Sequence, residues 1–509
     1  MSETTHGNGN GHFPAEMSYD LRRICEIVGD GNWSVDPMDL SIYARDLAPV
    51  PDELLHGYGA LEPQLVVRPR STEQVSEIMK WANAREIPVT PRGGGSFAMG
   101  GTIPIEGGVV LDLCSMKQVV EINAEDQYVR ADCGVVWRRL IETLERQNLT
   151  MLANPSSGVS ATIGGYIGTG GGAGIGVPRW GVLGNSIISL KVVLPTGKII
   201  ETNPWTSWQF IGAEGTMGIV TEAVIRVAPK REERYYMYAF SDQAEGVKAL
   251  QALAGLKPYY FHFFDRGGIK MLIDSGAHLE EAALTVVVGF HETPARQAVV
   301  AKELDRICAG AKRCPAETAL HEWENRYKVE LEFKRLGPTI MVQEIRFNLQ
   351  FLESILQQLA SALTNYRWGV QCLSSDHRSV CLLVYALTDE RNKTKFLKAM
   401  SLAGVIPRIG YKHKGTVYGL GLHNSLHVKR IHRRSAWEAM KRMKTKLDPK
   451  NILNPSKTVQ VRIPGPLVDV SMVMMGAAPG MVNLGLQVAK QMPSDLIRSG
   501  LKMVGGELR

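Results

Sequence analysis

The chain has 509 residues, a formal net charge of +7, and 44% hydrophobic and 21% charged residues. Such a length accommodates two or three domains with substantial cores, and the composition is that of an ordinary globular protein. The modest positive charge gathers into no dense basic stripe, which argues against nucleic acid and suits small anionic partners.

In chain order, residues 1–17 are polar and predict a disordered N-terminus without a signal-peptide pattern. Residues 18–28 carry Leu21, Ile24, Cys25 and Val28 at helical spacing. Asp36, Asp39 and Asp46 read as capping and turn acids. A strand over 64–67, a helix opened by the Ser71/Gln74 capping box, and a strand over 87–90 form a strand–helix–strand unit. That unit runs into Pro91, Arg92, Gly93, Gly94, Gly95 and Ser96, followed by Gly100. Successive backbone N–H groups beside an arginine, at the end of a parallel strand, suit a pyrophosphate. Strands are predicted over 109–113, 119–123 and 127–131, and a helix over 135–147.

Residues 161–176 hold eight glycines, which argues against any ordinary helix or strand. A linker is excluded by Ile163, Tyr166, Ile167 and Ile175. Bare backbone of this kind accepts an anion or a flat ring directly. Gly168, Gly170 and Ala173 match the spacing of a dinucleotide fingerprint, but no acid occurs over 185–200, and Gly174, Gly176 and Pro178 oppose a following helix. A hairpin over 187–201 and a strand over 219–227 follow, and composition shifts at 230–234. Beyond it, helices are predicted at 243–256, 295–309, 321–336 and 435–447, with strands at 284–290, 339–347 and 379–387. The seven cysteines form no C-x-x-C, which argues against disulfides, a zinc ribbon or an iron–sulfur cluster here, and fits free thiols in the cytoplasm. No apolar run reaches membrane-spanning length.

Five segments in order, 91–101, 161–176, 179–185, 214–222 and 447–457, resemble the FAD-linked oxidases of the vanillyl-alcohol oxidase superfamily, in particular the branch that holds the flavin-carrying chain of glycolate oxidase and D-lactate dehydrogenase. The resemblance implies an α+β chain. A two-lobed PCMH-type FAD-binding domain occupies 18–230, an α+β cap 231–415, a return to the FAD domain 416–460, and a tail 461–509. It implies non-covalent FAD, because Ser96 stands where covalent relatives carry histidine. Residues 91–96 and Gly100 would take the pyrophosphate. Pro155, Ser156, Thr162, Gly164, Gly165, Gly168, Thr169 and Gly170 would follow the flavin and its ribityl chain. Gly215, Gly218, Ile219 and Val220 would hold the cofactor by backbone, with Asn454 nearby.

The activity implied is hydride removal from a small 2-hydroxy acid, with an arginine clamping the carboxylate. Arg326, in a Trp-x-x-Arg match with Trp323, is the first candidate clamp and Arg346 the second. The family's Gly-Asp-Gly-Asn-Leu-His and Gly-Glu-His-Gly segments are both altered. His377, Tyr418 and His423 remain as candidate bases, and no metal-ligand set is complete, although His423 and His427 stand at i, i+4. Three readings stay open: a self-standing hydroxy-acid dehydrogenase, the flavin subunit of an iron–sulfur electron-transfer complex, or a non-catalytic flavin module. The Met-rich apolar segment 463–481 favours docking on such an iron–sulfur partner, through which peripheral membrane association would follow.

Overall fold

A computed structural model describes residues 19–48, 62–326 and 328–459. The expectations for 1–17 and 461–509 lie outside the described residues.

The first sheet has the order Trp33–Ser34, Leu65–Val67, Val109–Asp112, Val89–Arg92. Its last three strands are parallel, and the first is an antiparallel edge. Leu65–Val67 and Val89–Arg92 are therefore not neighbours, because Val109–Asp112 inserts between them. The helix joining them, Thr72–Arg85, starts where Ser71 Oγ accepts from Gln74 N and stops at left-handed Glu86. Asp36 caps Pro37–Tyr43 as expected, accepting from Met38 N and Asp39 N.

A second, antiparallel sheet centres on Ile219–Pro229, which pairs with Tyr128–Asp132 on one side and Ile187–Val193 on the other. The third sheet has eight strands, all antiparallel, in the order Lys312–Arg313, Glu232–Phe240, Leu284–Glu292, Tyr260–Asp265, Trp368–Ser374, Ser379–Thr388, Thr339–Asn348, Thr416–Val417. Five of these escape a pattern reading, among them Tyr260–Asp265 and Trp368–Ser374. Both are buried almost throughout, so neither alternates. The helix predicted over 321–336 forms as two, Ala316–Asn325 and Val329–Lys334. Trp323 packs with Tyr259 and Tyr260, whereas Val329 and Phe333 belong to a different cluster around Phe264 and Tyr385, so the two halves bury separate faces.

One hydrophobic core joins the first two sheets and also takes in Val428, Trp437, Ile452, Leu453 and Val459. A second core fills one face of the eight-stranded sheet, from Tyr236 to Ile409. The chain thus leaves the first core, builds the second, and returns. The return is pinned by Lys444, in the helix Arg434–Leu447, which is 1% exposed. Its Nζ donates to Asp448 Oδ2 (2.5 Å), Thr216 O (3.0 Å) and Leu453 O (3.0 Å). Asp448 also accepts from Ile452 N and Leu453 N, so both charges are fully satisfied. Among the described residues no helix is long and apolar enough to cross a membrane.

Removing one partner of a buried pair costs about 3–5 kcal/mol, because the other charge is left uncompensated. Lys444→Met is therefore expected to lower the urea midpoint markedly and to reduce the FAD carried through purification. An unchanged midpoint contradicts this account of the return.

Candidate functional site

The glycine-rich stretch contains helix after all. Ile163–Gly168 forms a short one, opened by Thr162 Oγ1 accepting from Gly165 N at 3.2 Å. Ile163, Tyr166 and Ile167 are buried in the first core, and this burial offsets the glycine cost. A single helical turn, Val177–Trp180, follows Gly176, with Pro178 inside it. Between the two, the glycines serve close packing of chain on chain. Gly174 and Gly176 have φ of 144° and 80°, and a Cβ there would strike Asn154 O and Leu152 O. Gly168 differs: a Cβ would meet no atom nearer than Gly215 N at 4.0 Å. Nothing in the chain requires glycine at this helical position, and a side chain there would fill the adjoining cleft.

That cleft spans about 1000 Å³, part of it open to solvent. It gathers Pro91, Arg92, Gly93, Gly94, Gly95 and Ser96 from the first loop, and Thr162, Gly164, Gly165, Gly168 and Thr169 from the second. Gly215, Gly218, Ile219 and Val220 close it. Backbone N–H groups, bare glycine surface and an arginine suit a diphosphate carrying a flat ring. The guanidinium of Arg92 is itself braced, with Nη1 donating to Arg45 O and Thr102 Oγ1. Phe97, Leu113, Cys133 and Glu214 also line the cleft, and no local signal singles them out.

Five expected residues lie elsewhere. Gly100 (φ 77°) packs on Leu422, and Pro155 and Ser156 give way to Ser157 in the lining. Gly170 lines a second cleft. Asn454 ties loops together beneath the first: its Nδ2 donates to Gly101 O (3.2 Å) and Glu214 O (2.7 Å), and its Oδ1 accepts from Lys457 Nζ (2.6 Å). Burial pushes the Glu214 carboxyl up to about 7 and the Lys457 ammonium down to about 7, with Asp46 and Glu214 opposing the latter.

The second cleft, spanning about 1250 Å³ of which part is open to solvent, shares Thr169 with the first and opens between the eight-stranded sheet and the return helix. Arg346, Thr416 and Tyr418 border it. Tyr418 Oη accepts from Gly172 N (3.2 Å) and Ala173 N (2.9 Å), strapping the glycine loop to the sheet. Ser375 Oγ donates to Gly172 O (2.6 Å), Ser374 Oγ donates to Gly174 O (3.1 Å), and Gly176 N donates to Tyr259 O (2.7 Å). Arg346 Nη2 lies 3.3 Å from Asp376 Oδ2.

Glu344 stands two residues before Arg346, on the same face of the strand Thr339–Asn348. Its Oε2 is buried and has no hydrogen-bond partner. A Cβ on Gly419 would lie 2.8 Å from that oxygen and against the ring of Phe97, so the carboxylate sits one ring away from the first cleft. Burial, reinforced by nearby Glu330, pushes its carboxyl up to about 7.

The remaining candidates line neither cleft. Arg326 stacks 3.6 Å from the centroid of Trp323 and donates to Trp323 O, close to Tyr235, which itself stacks on Trp323. His377 lies in the turn between Trp368–Ser374 and Ser379–Thr388. Burial pushes the His423 ring down to about 4. His427 belongs to a 3₁₀ turn, Ser425–His427, and bonds Tyr411 through Nδ1 (2.7 Å), so it shares no helix face with His423. Among the described residues no group of three His, Cys, Asp or Glu is arranged to hold a metal.

Comparison with known proteins agrees with this geometry. Residues 63–203 match the family described as FAD binding domain, and residues 229–458 match FAD linked oxidases, C-terminal domain. The chain belongs to the FAD-linked oxidases. This FAD-linked oxidase is 27% identical over 462 residues to glycolate oxidase subunit GlcD of Bacillus subtilis, covering 86% of this chain and 95% of the relative. It is 25% identical over 441 residues to D-lactate dehydrogenase of Archaeoglobus fulgidus, covering 79% and 92%. In structure it resembles p-cresol methylhydroxylase with substrate bound, with a TM-score of 0.73 at 16% identity over 87% of this chain and 96% of that one. FAD is the cofactor, on an α+β fold of the PCMH type.

The thiol and phenol lining the cofactor cleft, Cys133 and Tyr166, are both held protonated by burial, and Tyr166 donates to Ala173 O. FAD is therefore expected to be non-covalent. Acid precipitation should release the yellow colour into the supernatant, and colour retained in the pellet overturns the expectation.

Proposed function

We propose that this FAD-linked oxidase converts a 2-hydroxy acid to its 2-oxo acid, with Arg346 holding the carboxylate. The observation that carries the reading is that Arg346 borders a cleft meeting the cofactor cleft at Thr169. The names of the relatives, glycolate oxidase and D-lactate dehydrogenase, support the substrate class. In this reading 18–230 and 416–460 bind FAD and 231–415 cap it.

FAD supplies the two-electron acceptor for the hydride leaving Cα. The chain's own part is positioning and proton transfer. The planar fork of Arg346 matches a carboxylate bidentately. Glu344 lines neither cleft itself, but its place behind Phe97 and its spacing from Arg346 make it the group that would take the hydroxyl proton, and a base is most useful when its pKa lies near the working pH. Tyr418 and Ser375 keep the glycine loop against the sheet. His423, pushed down to about 4, is a weaker base, and the Tyr418 phenol is held protonated.

Arg346→Ala should raise KM about ten- to a hundredfold. Glu344→Gln should lower kcat about 10²- to 10⁴-fold while FAD remains bound. The Glu344 carboxyl is protonated below about 7 and cannot then accept a proton, so wild-type kcat/KM should fall as pH drops through about 7. That limb should vanish in Glu344→Gln. Arg326→Ala, measured in parallel, decides the clamp: a rise in KM there and not at Arg346 moves it to Arg326.

The electrons then pass to a protein acceptor, which we take to be an iron–sulfur protein in a cytoplasmic complex docked through 461–509. The seven cysteines without C-x-x-C spacing and a relative named as a subunit support this. Deleting 464–509 should leave FAD bound and abolish copurification with the acceptor. Loss of FAD or aggregation of the truncated chain assigns the tail to its own fold instead.

A further inference from the structure

The second cleft offers more hydrocarbon than a two- or three-carbon acid needs. One wall is built from Met217, Leu420, Ile431, Ala439, Met440 and Met443. Arg346 is the one permanently charged side chain among the described residues that line it. Trp208, Gln209 and His432 also line the cleft, but along this wall a polar substituent would find no side-chain partner, whereas three methionines adapt to hydrocarbon of varied shape. The carboxylate requirement fixes the other end of the ligand, since Arg346 and the hydroxyls of Thr416 and Tyr418 lie on the cap side of the same cleft. Thr169 lines both clefts, so a ligand held by Arg346 could present one end toward the first cleft and lay its remainder along the apolar wall.

Resting on the hydroxy-acid reading above, we propose that the substrate is a 2-hydroxy acid bearing a hydrocarbon chain of several carbons, with its carboxylate on Arg346 and its chain between Met217 and the return helix Arg434–Leu447. Specificity then resides in the return segment, which the fold already uses to close the first core. Burying one methylene improves binding roughly fourfold.

The test is anaerobic flavin bleaching of the full-length holoprotein by both enantiomers of lactate, 2-hydroxybutyrate, 2-hydroxyhexanoate and 2-hydroxyoctanoate. We expect kcat/KM to climb at least about thirtyfold from the three-carbon to the eight-carbon acid. Ala439→Phe, which fills the chamber, should cut the ratio of eight- to three-carbon kcat/KM at least tenfold, and Met443→Asn should do the same if the first variant loses FAD. A flat or falling series overturns the inference and leaves the hydroxy-acid reading standing. Bleaching by none of the acids overturns that reading. A binding arm separates the two: titrated into the oxidised protein, octanoate should perturb the flavin spectrum at a concentration at least about thirtyfold below propanoate. Equal affinities for the two alkanoates dispose of the chamber as a hydrocarbon site.

Discussion

The hydrogen bonds that clamp Gly172–Gly176 between the two cores hold the rest of the structure in place. They reach the loop from the eight-stranded-sheet side, from Tyr418, Ser374, Ser375 and Tyr259. On the other side the loop presses on Leu152 O and Asn154 O so closely that no Cβ fits at Gly176 or Gly174. A buried backbone must have its polar groups paired, and here the pairing is shared between the two halves of the molecule. The cofactor cleft and the cleft beside it therefore keep a fixed relation across one strand of chain.

Buried charge divides into two kinds in this fold. Lys444 with Asp448, and Lys457 with Asn454, are saturated with partners and hold the return segment to the loops that carry Gly101, Glu214 and Thr216. Glu344 is different, because one of its oxygens has no partner while burial, reinforced by Glu330, pushes its carboxyl up. A desolvated carboxylate with an oxygen left unpaired is costly to keep, and Glu344 lies beside Phe97 and Gly419, two residues from Arg346.

Much was readable from local pattern. Both glycine loops, the Ser71 cap, the hairpin of Ile187–Val193 with Ile199–Glu201, and the change of fold after Pro229 each depend on residues within a few positions of one another. Most of the residues drawn from the glycine loops line the first cleft. The errors are equally physical. The helix Ile163–Gly168 exists because Ile163 and Ile167 find a core that propensity does not report. Tyr260–Asp265 and Trp368–Ser374 were hidden because both their faces are buried.

The order of amino acids alone settles that this chain presents bare, glycine-lined backbone to an anionic, flat cofactor, since glycine is the residue that leaves such surface open. It places Arg326 ahead of Arg346 as the candidate clamp, and it does not single out Glu344 among the acids. Arg346 meets Thr416 only through the pairing of Thr339–Asn348 with Thr416–Val417, and Tyr418 reaches Gly172 across 246 residues of chain. Strand register and the packing of one core on another fix those meetings, and neither is encoded within the span of any local motif.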